Sequence, residues 1–169
     1  MKIHERHERH GAAMLQIAEH FSFTTINAFR VGSERSVNAY TVNDNIGMYL
    51  KYATKPHGAW DEYKFTFNRE HLTEIASLNS KRERTFVALV CWEDREVCCI
   101  RYKQLLSMIE LRRKRLGDDE DVYTVYVQAP KHAEFRAYIS PPGKKGKMLG
   151  EVRVARNAFP SCVFGKKAS

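Results

Sequence analysis

Apolar and polar positions along the chain alternate in two rhythms, one helical and one of strand period. Residues 4–20 place Ala12, Ala13, Leu15, Ile17 and Ala18 among charged residues, with Met14 and Phe21 widening the apolar side; this predicts an amphipathic helix. "FTTINAF" (23–29) is β-branched and aromatic and reads as a strand, and "RVGSERS" as a loop. "VNAYTVN" (37–43) and "IGMYLKYA" (46–53) both alternate, with a turn at Asp44–Asn45. After a loop holding Pro56 and Gly58 comes the strand "YKFTF" (63–67). Asn68 can then cap a helix over 69–79 whose stripe is Leu72, Ile75, Ala76 and Leu78. "TFVALVC" (85–91) is continuously apolar, as expected of a central strand covered on both faces, and "VCCIRY" (97–102) is its hairpin partner. A helix over 103–115 ends in "RRKR" and is broken by "GDDED". Strands follow at 122–128 and 134–140, then the loop "PPGKKGK", the strand "GEVRVA" and a short closing segment.

Runs of strands separated by single helices predict an α+β fold, one mixed β-sheet flanked by helices. The 169 residues fit one domain with a short appendage. Charge marks where that appendage would begin. Residues 130–169 hold nine Lys/Arg against two Asp/Glu, whereas residues 1–129 hold nineteen against eighteen. We therefore expect a nearly neutral core over 1–129 and a basic C-terminal β extension over 130–169, packed on the core or trailing from it. A net charge of +8 concentrated in that way attracts phosphate polymers. The candidate nucleic-acid contacts are Lys144, Lys145, Lys147, Arg153 and Arg156.

Hydrophobic content of 43% supplies a core. No apolar run approaches the roughly 18 residues of a membrane helix, and the N-terminus has no apolar block of signal-peptide length. The expectation is a cytoplasmic protein with no membrane partner. Cys91, Cys98, Cys99 and Cys162 form no C-x-x-C pair and read as buried thiols, not zinc ligands.

The hairpin "NAYTVNDNIGMYLKY" holds the candidate chemistry. Strand alternation puts Ile46, Met48 and Leu50 on one face, and Tyr49 and Lys51, with Gly47 and Ala53, on the other. Asn38, Tyr40 and Val42 share a face of the preceding strand. A leading helix, a strand meander ending in a lysine, then a helix and a strand resembles the restriction-endonuclease-like fold, the PD-(D/E)XK superfamily. "GMYLKYATKP", "YKFTFNREHLTEIASLN" and "TFVALVCWEDREVCCI" look especially like small bacterial members. "SVNAYTVNDNIGMYLKYAT", "FTFNREH" and "FVALVC" also resemble a set of bacterial proteins without assigned function. The likeness spans about residues 4–102.

That resemblance implies a divalent metal held by one acid on the second strand and another two positions before the lysine, with the lysine orienting the attacking water. Lys51 fits the lysine position. Tyr49 and Asn38 stand where the acids would be, and neither is charged. Asp44 is the nearest carboxylate, so Lys51 and Asp44 are the candidate catalytic pair, with Glu5, Glu8 or Glu19 of the first helix as substitute ligands. The alternative for Lys51 is an ion pair with Asp44 or Glu62.

"HERHERH" sets His4, His7 and His10 on one drifting helix face, where two could bind a transition metal, although a frayed polar turn is the plainer reading. His71 is either a general base or a surface residue. Trp60 and Trp92 sit at loop edges, as partner or base-stacking contacts or as core caps. Three functions remain open. The first is a catalytically inactive endonuclease-like domain that binds nucleic acid, with no metal or cofactor. The second is a protein-interaction module or adaptor subunit, and a homodimer is compatible with any of the three. The third is a nuclease with a non-standard site, which alone would call for Mg²⁺ or Mn²⁺.

Overall fold

The structure, a computed structural model, describes residues 1–144 and 146–165. The elements run α1 (Glu5–Ala18), β1 (Ile26–Val31), β2 (Glu34–Val42), β3 (Ile46–Ala53), β4 (Glu62–Asn68), α2 (Arg69–Ser80), β5 (Arg84–Cys91), β6 (Glu96–Arg101), α3 (Tyr102–Leu116), β7 (Val122–Gln128), β8 (Phe135–Ile139), β9 (Leu149–Val154) and a short α4 (Ser161–Phe164). The chain is α+β, as its pattern predicts, but the strands form two sheets instead of one. The first is mixed, in the order β1-β2-β3-β5-β6. Within it β3 and β5 are parallel neighbours, and every other pair is antiparallel. The second sheet is antiparallel throughout, in the order β4-β7-β8-β9.

Alternation explains the layering. On β3, Ile46, Met48 and Leu50 join Phe86, Ala88 and Val90 of β5 beneath Ala13 and Ile17 of α1 and Val163 of α4. The opposite face presents Tyr49, Val87 and Leu89 to the aromatic row of the second sheet: Tyr63, Phe65, Phe67, Tyr123 and Phe135. β5 is buried on both faces because it lies between these two layers. β4 and β7 alternate buried and open positions, as strands with one solvated face must.

Gly47 sits where β3, β5 and α2 converge. A Cβ there would stand 2.7 Å from Leu78 Cγ and 2.8 Å from Thr85 Oγ1, so only glycine lets the helix approach this closely. The β2–β3 turn holds Asn43 and Asp44 at φ 50° and 63°, the left-handed pair of a tight hairpin. Asn43 Oδ1 also accepts the N–H groups of Thr24 and Thr25 at 2.7 and 3.3 Å, tying the turn to the chain after α1.

The extension expected over 130–169 packs on the core through its described strands. β8 and β9 extend the sheet begun by β4 and β7, and Phe135, Ala137, Ile139, Leu149 and Val154 belong to the inter-sheet core. Of the extension's described basic residues, Arg136 and Arg153 lie on β8 and β9, and Lys131, Lys144, Lys147 and Arg156 on the segments around them, so the charge step coincides with no break in the second sheet.

Candidate functional site

Lys51 lies near the end of β3 on the face that α2 covers. Ladder pairing of β2 with β3 runs from Val42–Ile46 to Ala39–Tyr49 and then stops. There Ser36 Oγ accepts the N–H groups of Asn38 and Ala39 at 3.2 and 3.1 Å, a local bond that bends β2 away from its partner. The bend breaks the alternation. Asn38 leaves the face of Tyr40 and Val42, and its amide donates to the Tyr49 hydroxyl at 3.5 Å.

The lysine's neighbour is a histidine. Lys51 Nζ is 3.4 Å from Nδ1 of His71 and 5.4 Å from the centre of the Phe67 ring. His71 is the third residue of α2, and the helix start fixes it. Its N–H donates to Asn68 Oδ1 at 2.9 Å, and its Nδ1 accepts the Asn68 N–H at 3.2 Å. With Nδ1 accepting, the network places the ring proton on Nε2. Burial draws the Lys51 pKa below the lysine value, opposed by Glu74. Burial, then the charge of Lys51, lowers that of His71. Burial and Glu74 together raise the Tyr49 phenol. At pH 7 the group is therefore a neutral imidazole and a protonated phenol beside a lysine, with Glu74 as the compensating anion.

Both nearby carboxylates come from α2. Glu70 and Glu74 are one turn apart, and with Ser36 and Thr73 they line a groove of about 410 Å³. Glu74 accepts a hydrogen bond from Ser36 Oγ. The candidate acids read from the sequence lie on the hairpin and the first helix, so this pair on α2 is not among them. The available signal was the Asn68-to-His71 capping spacing with glutamates at 70 and 74 on the same helix. Among the described residues no three His, Cys, Asp or Glu side chains gather closely enough to hold a metal ion.

Asp44 does not join Lys51. It sits in the β2–β3 turn, at the other end of β3, and seven residues of strand span roughly 23 Å. Glu62 is also elsewhere, buried and accepting a hydrogen bond from the Tyr138 hydroxyl. The substitute acids of α1 are committed too: Glu5 and Glu8 both pair with Arg9 at 3.2 Å. Glu19 lies at the C-cap of α1. The histidine run divides as well. His7 Nδ1 accepts the His4 N–H at 3.1 Å at the helix start, while His10 is buried edge-on to Tyr52 at 5.7 Å.

The basic residues of the last quarter have different fates. Lys144 and Lys147 are exposed on the β8–β9 loop, and Lys145 lies outside the described residues. Arg153 is exposed, with Glu151 at 3.5 Å. Arg156 is not available to a ligand. It makes a bidentate pair with Glu96 at 2.8 and 2.9 Å, donates to the Pro130 carbonyl at 2.9 Å, and lies 4.6 Å from the Phe135 ring centre. This clamp fastens the end of β9 to the β5–β6 hairpin.

The tryptophans are likewise engaged. Trp92 is held between the guanidinium groups of Arg9 and Arg95, at 3.8 and 4.6 Å, and packs against the α1 layer. Trp60 is 46% exposed, and its ring lies against Gly146 of the β8–β9 loop, leaving no room for a side chain there.

Compared with protein-family models, with curated proteins and with solved structures, the chain shows no match.

Proposed function

We propose that the chain is a nucleic-acid-binding domain on an endonuclease-like core whose hydrolytic site has been replaced by a neutral hydrogen-bonded one. The observation that carries this reading is the Asn38–Tyr49 hydrogen bond. The two positions at which the family's acids would stand are bonded to each other, and Lys51 is turned to His71. A divalent ion wants carboxylate oxygens, and this pair offers an amide and a protonated phenol. The core assignment is supported by the first sheet: a leading helix, an antiparallel meander β1-β2-β3 with the lysine on β3, then α2 and a β5 that returns parallel to β3. In this reading β4 is diverted into the second sheet. Nucleic-acid binding is supported by the net charge of +8 and by exposed Lys144, Lys147 and Arg153.

Fluorescence anisotropy with labelled oligonucleotides over a range of NaCl concentrations tests the proposal. Affinity is expected to fall linearly on a log–log plot, by close to one unit of slope per phosphate neutralised. A flat plot, or no retention on heparin at low salt, overturns it. Incubation with Mg²⁺ or Mn²⁺ is expected to leave the oligonucleotides intact, and cleavage lost in Lys51→Ala would restore the nuclease reading.

A further inference from the structure

Two cavities of about 330 and 220 Å³ adjoin at the start of α3 and share Phe86, Arg101 and Cys162 as a common wall. Arg84 and Lys103 line the first and Arg153 the second, so four cations border one continuous groove. Arg101, Lys103 and Arg153 are exposed and Arg84 is half-buried. Among the described residues only Arg153 has an acidic partner, Glu151 at 3.5 Å. One acid, Glu83, borders the groove, and it accepts a hydrogen bond from Asn45 at 3.1 Å.

Two further features fit the same ligand chemistry. Arg101 is the N-cap of the fifteen-residue α3, and its side chain has no acceptor with which to cap the first-turn N–H groups. The positive end of that helix therefore opens beside the cations. The half-buried ring of Tyr102 lines the first cavity and offers a stacking face. Sequence reading missed this set because its members lie on β5, β6, α3 and β9, 69 positions apart at the extremes (84 to 153), and none stands in a basic run of the C-terminal quarter except Arg153.

We propose that this groove binds an extended chain of phosphates, which on the functional reading above is the backbone of a single-stranded nucleic acid. Two narrow joined cavities suit a single strand, with phosphates on Arg84, Arg101, Lys103 and Arg153 and a base against Tyr102.

The test uses the full chain, a labelled oligothymidylate of roughly twelve residues, a duplex of the same length, and tripolyphosphate. The variant is Arg101→Gln/Lys103→Gln, both exposed positions that leave the helix backbone intact; circular dichroism checks the fold. Cys162 supplies a site-specific readout, because it lines both cavities and is the one cysteine that is not buried. The single strand is expected to slow alkylation of Cys162 by N-ethylmaleimide. The double variant is expected to bind at least tenfold more weakly, with the salt slope for the single strand reduced by about 1.4. Binding unchanged in the variant, with Cys162 unprotected, overturns the groove while leaving nucleic-acid binding intact. Protection by tripolyphosphate but not by oligonucleotide upholds the phosphate groove and overturns the nucleic-acid reading. Tighter binding of the duplex than of the single strand overturns the single-strand assignment.

Discussion

Lys51 Nζ lies 3.4 Å from Nδ1 of His71, a nitrogen that also accepts the backbone N–H of Asn68. One lone pair thus serves the start of α2 and faces the lysine, which makes the pair a structural joint between β3 and α2. Glu74 is the anion that balances it. The Lys51 titration midpoint, read by NMR on ε-¹³C-labelled lysine, is expected below the unperturbed 10.5. Glu74→Gln removes the group that raises it and moves the midpoint further down. A midpoint unchanged by that substitution would show that Glu74 does not face the lysine.

His10 gives the protein a pH dependence of definite sign. Burial, then Arg6 and Lys51, depress its pKa from 6.5 to about 4 in the fold. Below pH 6.5 the unfolded chain takes up a proton that the folded chain refuses, so stability is complete above that value and declines as pH falls towards 4. The loss is on the order of 3 kcal/mol, and the lowered pKa of His71 acts in the same direction. Urea denaturation at pH 7.5 and 4.5 measures it. His10→Leu is expected to remove most of the difference; an unaltered slope in that variant would assign the effect elsewhere.

Arg156 joins β9 to the β5–β6 hairpin through Glu96, Asp94 and the Pro130 carbonyl. Arg156→Ala leaves the half-buried Glu96 and the exposed Asp94 without their cation and is expected to cost about 2 kcal/mol. Arg156→Lys keeps the charge but not the fork, and is expected to recover less than half of that. Thermal melting distinguishes them. A melting temperature unchanged by the alanine would mean that the clamp contributes nothing.

Gly47→Ala places a methyl group against Leu78 and Thr85 across the β3–α2 contact. The expected cost is about 1–3 kcal/mol, because the neighbours are core side chains with little room to retreat. Gly11→Ala is a matched control: α1 has open space at that position, and alanine favours a helix. Chemical denaturation of the two variants should move in opposite directions.

Much of this architecture was legible in the residues. The alternation of "IGMYLKYA" delimits β3 at Ile46–Ala53 and assigns its faces, and the apolar run "TFVALVC" announces a strand covered on both sides. Local bonding overrode the pattern at Asn38. A serine two residues earlier satisfies backbone N–H groups that the ladder would otherwise have used. Asp44 looked near Lys51 in sequence because the hairpin is short in residues, yet each strand residue adds over 3 Å of rise.

The sequence by itself determined most of the elements and the two faces of β3, β4 and β7, because periodicity is a local property; residues 30–36 read as a loop, where all but a tight turn at 32–33 continues β1 and β2. Only the tertiary structure decided which edges pair. β4 meets β7 across more than fifty residues of chain, so the strands split into two sheets and the basic last quarter closes the second. It also decided which charges are clamped within the fold and which line a cavity. Arg156 is consumed by Glu96, while Arg84, Arg101, Lys103 and Arg153 converge on one groove. Such convergence depends on long-range packing, which a pattern of period two or 3.6 does not encode.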